Sequence, residues 1–205
     1  MLIHDVKQNS EEWFGLKAGK PSASGASRLV TPTGKPSEGL EAYAQELATD
    51  LYRGKPKGKN FRNEHTDRGH ELEPIAADDY EFVYSTKLRT VGFMTDDDER
   101  YGASPDRLIG RSGMLEIKCL DEKAYLAALV YYTENRKAPP DRIAQNQMQL
   151  FTGEKKFVYL YYYSQTLPSF RIKVLPIKTY FEMLECQLDD VIKRRDEILI
   201  MLRSL

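Results

Sequence analysis

The chain has 205 residues, enough for one sizeable hydrophobic core, and Lys+Arg 30 against Asp+Glu 31 leave a formal net charge of -1. That balance excludes wholesale electrostatic binding of nucleic acid but leaves room for a local basic groove. The two cysteines, Cys119 and Cys186, are too few for a disulfide framework and lack zinc or iron–sulfur spacing, and neither a leader in MLIHDVKQ nor a membrane span is read, so one reduced, cytoplasmic domain over residues 1–205 is expected.

The first predicted element is a helix in SEEWFGLKAG, where a Ser suits the N-cap, the acids suit the positive helix end, and Gly19 stops the run. A short helix in SASGASRLV and a loop in TPTGKPSEG follow. From Leu40 to Tyr52 the apolar residues Leu40, Tyr43, Ala44, Leu47, Ala48 and Leu51 keep the helical interval of three and four. RGKPKGKNFRNEHTDRG has no apolar period and reads as a basic surface loop, either a solvated linker or a contact to phosphates. GHELEPIAADDYEFVY reads as a helix with Ile75 and Ala76 facing the core.

Short strands come next in RTVGFMTD, RYGASPDRLIG and GMLEIKC, with DDDE and GRSG as turns, and they predict an antiparallel meander. Helices return in DEKAYLAALVYY and DRIAQNQMQLFTG, the second with prolines ahead of it and a glycine at its end. Two strands, KKFVYLYYYS and SFRIKVLPI, and a long amphipathic helix from about Thr179 complete the order. VYLYYY reads as sheet core with one exposed face. The order predicts an α/β fold with a central mixed sheet flanked by helices on both faces.

The chemistry concentrates in GASPDRLIGRSGMLEIKC. Strand alternation points Glu116 and Lys118 one way, about 6.6 Å apart along the strand, while Leu115 and Ile117 point into the opposite layer. The GRSG turn folds Asp106 back beside Glu116. Two carboxylates then converge, as a hard divalent ion such as magnesium requires, and a lysine beside them can orient an attacking water and favour a phosphate. The bland alternative is a rim ion pair on a half-exposed strand. A Pro-Asp followed at this distance by Glu-x-Lys arises by chance in on the order of a few per cent of chains this long.

SPDRL…GMLEIKC resembles the active-site signature of the PD-(D/E)XK nucleases, and more narrowly that of the phage lambda exonuclease type, the YqaJ-like viral recombinase group. EEWFGLKAGKPSAS resembles the family's Trp-containing helix and Ser-Ala-Ser, RGHELEPIA its Gly-x-x-x-Glu-x-x-Ala helix, and IAQNQMQLFTG its Gln-x-Gln helix. The resemblance implies a restriction-endonuclease-like core and a magnesium-dependent 5′-to-3′ exonuclease. Such an enzyme resects one strand of linear duplex DNA and leaves a 3′ tail for a single-strand annealing partner. It implies two Mg2+ ions per site, replaceable by Mn2+, held by Asp106, Glu116 and the carbonyl of Ile117. Lys118 would activate water, Glu73 would line the site, and Gln145 would approach from the other side. Lys17, Ser24 and Ser104 would cradle a terminal 5′-phosphate, and a homotrimeric ring would surround the DNA.

Two departures from the family stand out. Lys17 occupies a position that is commonly Arg, which predicts a weaker 5′-phosphate preference, since Lys acts as a point charge where Arg grips in two places. Arg107 occupies a position that is commonly Gly and adds a positive charge beside the metal site, on the DNA or outside it. Taken without the resemblance, Glu73 reads as a solvated helix acid and Gln145 as an exposed polar residue; Trp13, at the family's Trp position, is either core packing or a DNA-binding platform for terminal bases. His4, His65 and His70 lack zinc spacing, with His70 alone near the proposed cleft. The rivals are a structure-selective or restriction-type endonuclease on the same fold, which would cut circles, and a catalytically inactive DNA-binding protein. A helicase-linked nuclease with an iron–sulfur cluster needs four cysteines.

Overall fold

A computed structural model describes residues 1–54 and 64–205, without the side chains of residues 64–68 and 70. Five strands form the main sheet: β1 (Leu88–Arg89), β2 (Arg107–Ile109), β3 (Gly113–Lys118), β4 (Phe157–Tyr162) and β5 (Phe170–Val174), in the spatial order in which they are numbered. Only β3 and β4 run parallel; every other pair is antiparallel. The β2–β3 connection is the GRSG turn, where Gly110 adopts φ +54. Gly113 starts β3 because a Cβ there would fall 2.3 Å from the Phe157 ring. The parallel step from β3 to β4 requires a crossover, made by the helices α4 (Glu122–Asn135) and α5 (Pro140–Gly153). Asp121 caps α4 by accepting from the Ala124 N–H, and Pro140 opens α5 where a missing N–H costs nothing.

Strand alternation assigns the layers. Leu115 and Ile117 of β3, with Tyr161 of β4, pack against Ala76, Ala77 and Tyr80 of α3 (Glu64–Tyr84). Burying Leu115 and Ile117 there contributes about 1.5–3 kcal/mol each. Met114, Leu108 and Val158 face the opposite layer, with α5, α2 (Leu40–Arg53), the 3-10 turn Ala23–Arg28 and α6 (Lys178–Arg203). Tyr125 and Ala128 of α4 cover Leu160, Tyr162 and Ile172 on that same face. Helices therefore flank both faces of a mixed sheet, as the element order predicts.

Several expectations are corrected. The meander is divided: Phe93–Thr95 pairs with Leu2–His4 on one side and Gly102–Ala103 on the other in a separate three-stranded sheet, while their neighbours in sequence join the main one. Phe93, Met94 and Thr95 are all buried, so no alternation marks which sheet they join. The strand Leu2–His4 itself was not expected. The segment read as a basic loop, residues 53–69, overlaps two helices: Arg53 and Gly54 end α2, α3 begins at Glu64, and residues 55–63 lie outside the described residues. Ala76 and Tyr80 are buried as expected, but Ile75 is 47% exposed, and Leu72 and Ala77 complete the core face of α3 in its place. Among the described residues, no helix is long and apolar enough to cross a membrane.

Candidate active site

Asp106 stands one residue before β2, and because β2 and β3 pair Arg107 with Leu115, the antiparallel register brings it level with Glu116. Its Oδ2 accepts the backbone N–H of Ile117 at 2.5 Å, which fixes the carboxyl against β3. Glu116 is 4% exposed and projects toward α5. Its Oε1 accepts from Lys118 Nζ at 2.7 Å and from Gln145 Nε2 at 2.6 Å. Its Oε2 accepts from Gln149 Nε2 at 2.6 Å. The structure thus brings Asp106, Glu116, Lys118, Ile117 and Gln145 together as the sequence reading expects.

Gln149 was missed. It is fully buried and lies one helical turn beyond Gln145, so the i, i+4 spacing was the available signal. Gln147, between them, points elsewhere: it donates to the Leu175 carbonyl and accepts from the Ile177 N–H.

Electrostatically the site holds an excess of acid. Burial pushes the Asp106 carboxyl well above its ordinary range, the neighbouring Glu116 charge raises it further, and Lys118 opposes both. A divalent cation fits this set: two adjacent carboxylates with a β3 carbonyl at Ile117 are hard oxygen donors, and the buried Oε1 of Gln149 has no hydrogen-bond partner. Among the described residues no group of three or more His, Cys, Asp or Glu could hold a metal ion. Glu73 lines the same pocket as Asp106 but does not touch the carboxyl pair directly; it accepts from Arg107 Nη1 at 2.7 Å. His4 lies outside the site, sharing a hydrogen bond of 3.2 Å with Thr95 Oγ1, and the side chains of His65 and His70 are outside the described residues.

A second cluster lies on the first helix, α1 (Glu11–Lys17), and the 3-10 turn. Ser10 caps α1 by accepting the Trp13 N–H. Lys17 Nζ reaches Ser24 Oγ at 3.3 Å and sits 4.6 Å above the Trp13 ring. Ser22, not singled out in the sequence, shares a hydrogen bond of 3.2 Å with Ser24. Trp13 corrects the stacking alternative: it is 7% exposed, packs edge-on against Phe14 and Phe93, and donates its Nε1–H to Ser104 Oγ and the Gly92 carbonyl. That indole N–H fixes the Ser104 hydroxyl at 2.9 Å. The single Ser104 proton goes to the Gly92 carbonyl, so in this arrangement Lys17 and the exposed Ser24 present the donors.

The YqaJ-like viral recombinase domain model matches residues 12–156, well over half of the chain and a span that contains Trp13, Lys17, Ser24, Ser104, Asp106, Glu116, Lys118, Gln145 and Gln149. The chain belongs to that family. The fold is similar to an alkaline exonuclease, LHK-Exo from Laribacter hongkongensis, with a TM-score of 0.81 at 24% identity over 95% of this chain and 97% of that one. The same protein in complex with dAMP matches equally well. A phage related exonuclease from Haemophilus somnus 129PT matches with a TM-score of 0.70 at 12% identity, covering 89% of this chain and 96% of that one. No curated protein matches. The matched span contains the hairpin carrying Asp106, Glu116 and Lys118 and the glutamines of α5.

Proposed function

We propose that this YqaJ-family protein is a magnesium-dependent deoxyribonuclease that degrades one strand of linear duplex DNA from its 5′ end, leaving 3′ single-stranded tails for an annealing partner. The observation that carries the reading is the convergence of Asp106 and Glu116 with Lys118 Nζ 2.7 Å from the Glu116 carboxylate. A rim ion pair does not account for it, since Glu116 is buried and held by two further amide donors. Asp106, Glu116 and the Ile117 carbonyl would hold Mg2+ or Mn2+. Bound there, the cation supplies Lewis acidity toward the phosphate and lowers the pKa of water.

The chain's own residues do the rest. Lys118 orients the attacking water and offsets charge growing on the phosphate, a contribution typically worth 10²–10⁴ in rate. Water adds to phosphorus, the bond to the 3′ oxygen breaks, and the proton finishes on that oxygen. Gln145 and Gln149 hold both Glu116 oxygens in place, so the carboxylate does not reorganise as the reaction proceeds. Lys17 and Ser24 favour a terminal 5′-phosphate. A homotrimeric assembly belongs to the same proposal.

The test gives purified protein, with magnesium or with chelator, labelled linear duplex bearing 5′-phosphate or 5′-hydroxyl beside closed circular DNA. Stepwise loss of the 5′-labelled strand from the linear duplex alone, and only with the cation, is expected. Digestion of the circle would favour an endonuclease, and inactivity on every substrate a binding protein.

A further inference from the structure

Strand alternation sends Arg107 to the face opposite Asp106, toward α3, where its Nη1 meets Glu73 Oε1 at 2.7 Å and the Asp106 carbonyl at 2.6 Å. One guanidinium nitrogen therefore joins the helix that carries Glu73 to the loop that carries the catalytic acid. Both side chains are partly buried, at 16% and 27% exposure, so the pair is less screened than a surface ion pair. Together with Asp106 they line a pocket of about 460 Å3 that also takes in Asp5 and Lys7, whose charges offset one another.

We propose that Arg107 is a positioning residue that holds Glu73 away from Asp106 and Glu116 and, by cancelling its charge, sets how tightly the site takes a divalent cation. The inference rests on the metal-dependent reading above. With Arg107 in place, three carboxylates face two cations. Without it they face Lys118 alone, and Glu73 is released toward Asp106. A unit charge removed from beside these carboxylates, in a pocket open to solvent, changes cation affinity by about tenfold.

The experiment measures Mn2+ binding to the DNA-free protein by electron paramagnetic resonance, so that no cleavage enters the readout. Arg107→Gln is expected to tighten Mn2+ about tenfold, and Glu73→Gln, which leaves Arg107 unpaired, to weaken it by a similar factor. The double variant and Arg107→Lys, which keeps the charge, should lie near the parent. Equal affinity in parent and Arg107→Gln overturns the inference, above all if duplex binding weakens, for Arg107 is then a phosphate contact. If Arg107→Gln does not fold, unchanged affinity in Glu73→Gln overturns it as well. A parent that binds no Mn2+ overturns the metal reading itself and this inference with it.

Discussion

Replacing Gln149 by leucine removes a donor from the buried Glu116 carboxylate while keeping roughly the side-chain volume. The lost bond, 2.6 Å to Oε2, is charge-assisted and worth about 1.5–3 kcal/mol. Against it stands the buried Oε1 of Gln149, which has no partner and whose removal returns about 1 kcal/mol. The net cost is then about 0.5–2 kcal/mol, or a fall in Tm of about 1–8 °C for a chain of this length. Gln145→Leu should cost less, because Gln145 is half-exposed, water can replace it, and Lys118 still serves the same oxygen. Thermal unfolding followed by circular dichroism, in chelator and in magnesium, separates the two. A cation bound to Glu116 restores part of the Gln149→Leu loss, so the magnesium-induced rise in Tm should be larger in the variant than in the parent. A Gln149→Leu protein as stable as the parent in chelator would refute the reasoning.

Asp106→Asn should abolish cleavage yet stabilise the cation-free protein at alkaline pH. Burial and Glu116 raise the folded-state pKa of Asp106, so the folded state binds the extra proton and stability falls as pH rises from the ordinary carboxylate range through the raised value; the variant's Tm, measured in chelator, should lose that part of the decline. Lys118→Ala is expected to lower the cleavage rate by about 10²–10⁴ while Gln145 and Gln149 keep Glu116 in place, leaving the circular dichroism spectrum and duplex binding unchanged. Trp13→Phe keeps the packing but loses two N–H bonds, costing about 1 kcal/mol in denaturant unfolding and reducing the rate ratio between 5′-phosphate and 5′-hydroxyl ends. Lys17→Arg should raise that ratio, because a guanidinium grips a phosphate in two places.

The local signals in the sequence translated well into the site. Period-two alternation in GMLEIKC separates Glu116 from Leu115 and Ile117, and the structure keeps that separation to opposite layers. What alternation does not carry is pairing between distant strands: Phe93–Thr95 leaves the main sheet for Leu2–His4, a partner some ninety residues away that only three-dimensional packing selects. Helix boundaries fared similarly, since nothing apolar in residues 64–69 announces the start of α3. Arg107 was legible as a charge but not as a contact, because Glu73 lies 34 residues away on a helix whose facing was misjudged by one residue at Ile75. The second glutamine was visible as a spacing, and it acquires meaning only once α5 is known to cross over Glu116.

That crossover helix also packs against the 3-10 turn that carries Ser22 and Ser24. The same rod thus sets the place of Glu116, through Gln145 and Gln149, and seats the turn that the proposed function assigns to a terminal phosphate. On the proposed reading α5 is a ruler: the length of DNA between the recognised end and the broken bond is a fixed dimension of the protein, indifferent to base sequence. A change that shifts α5 along its axis would alter the size of the released fragment before it altered the chemistry of its release.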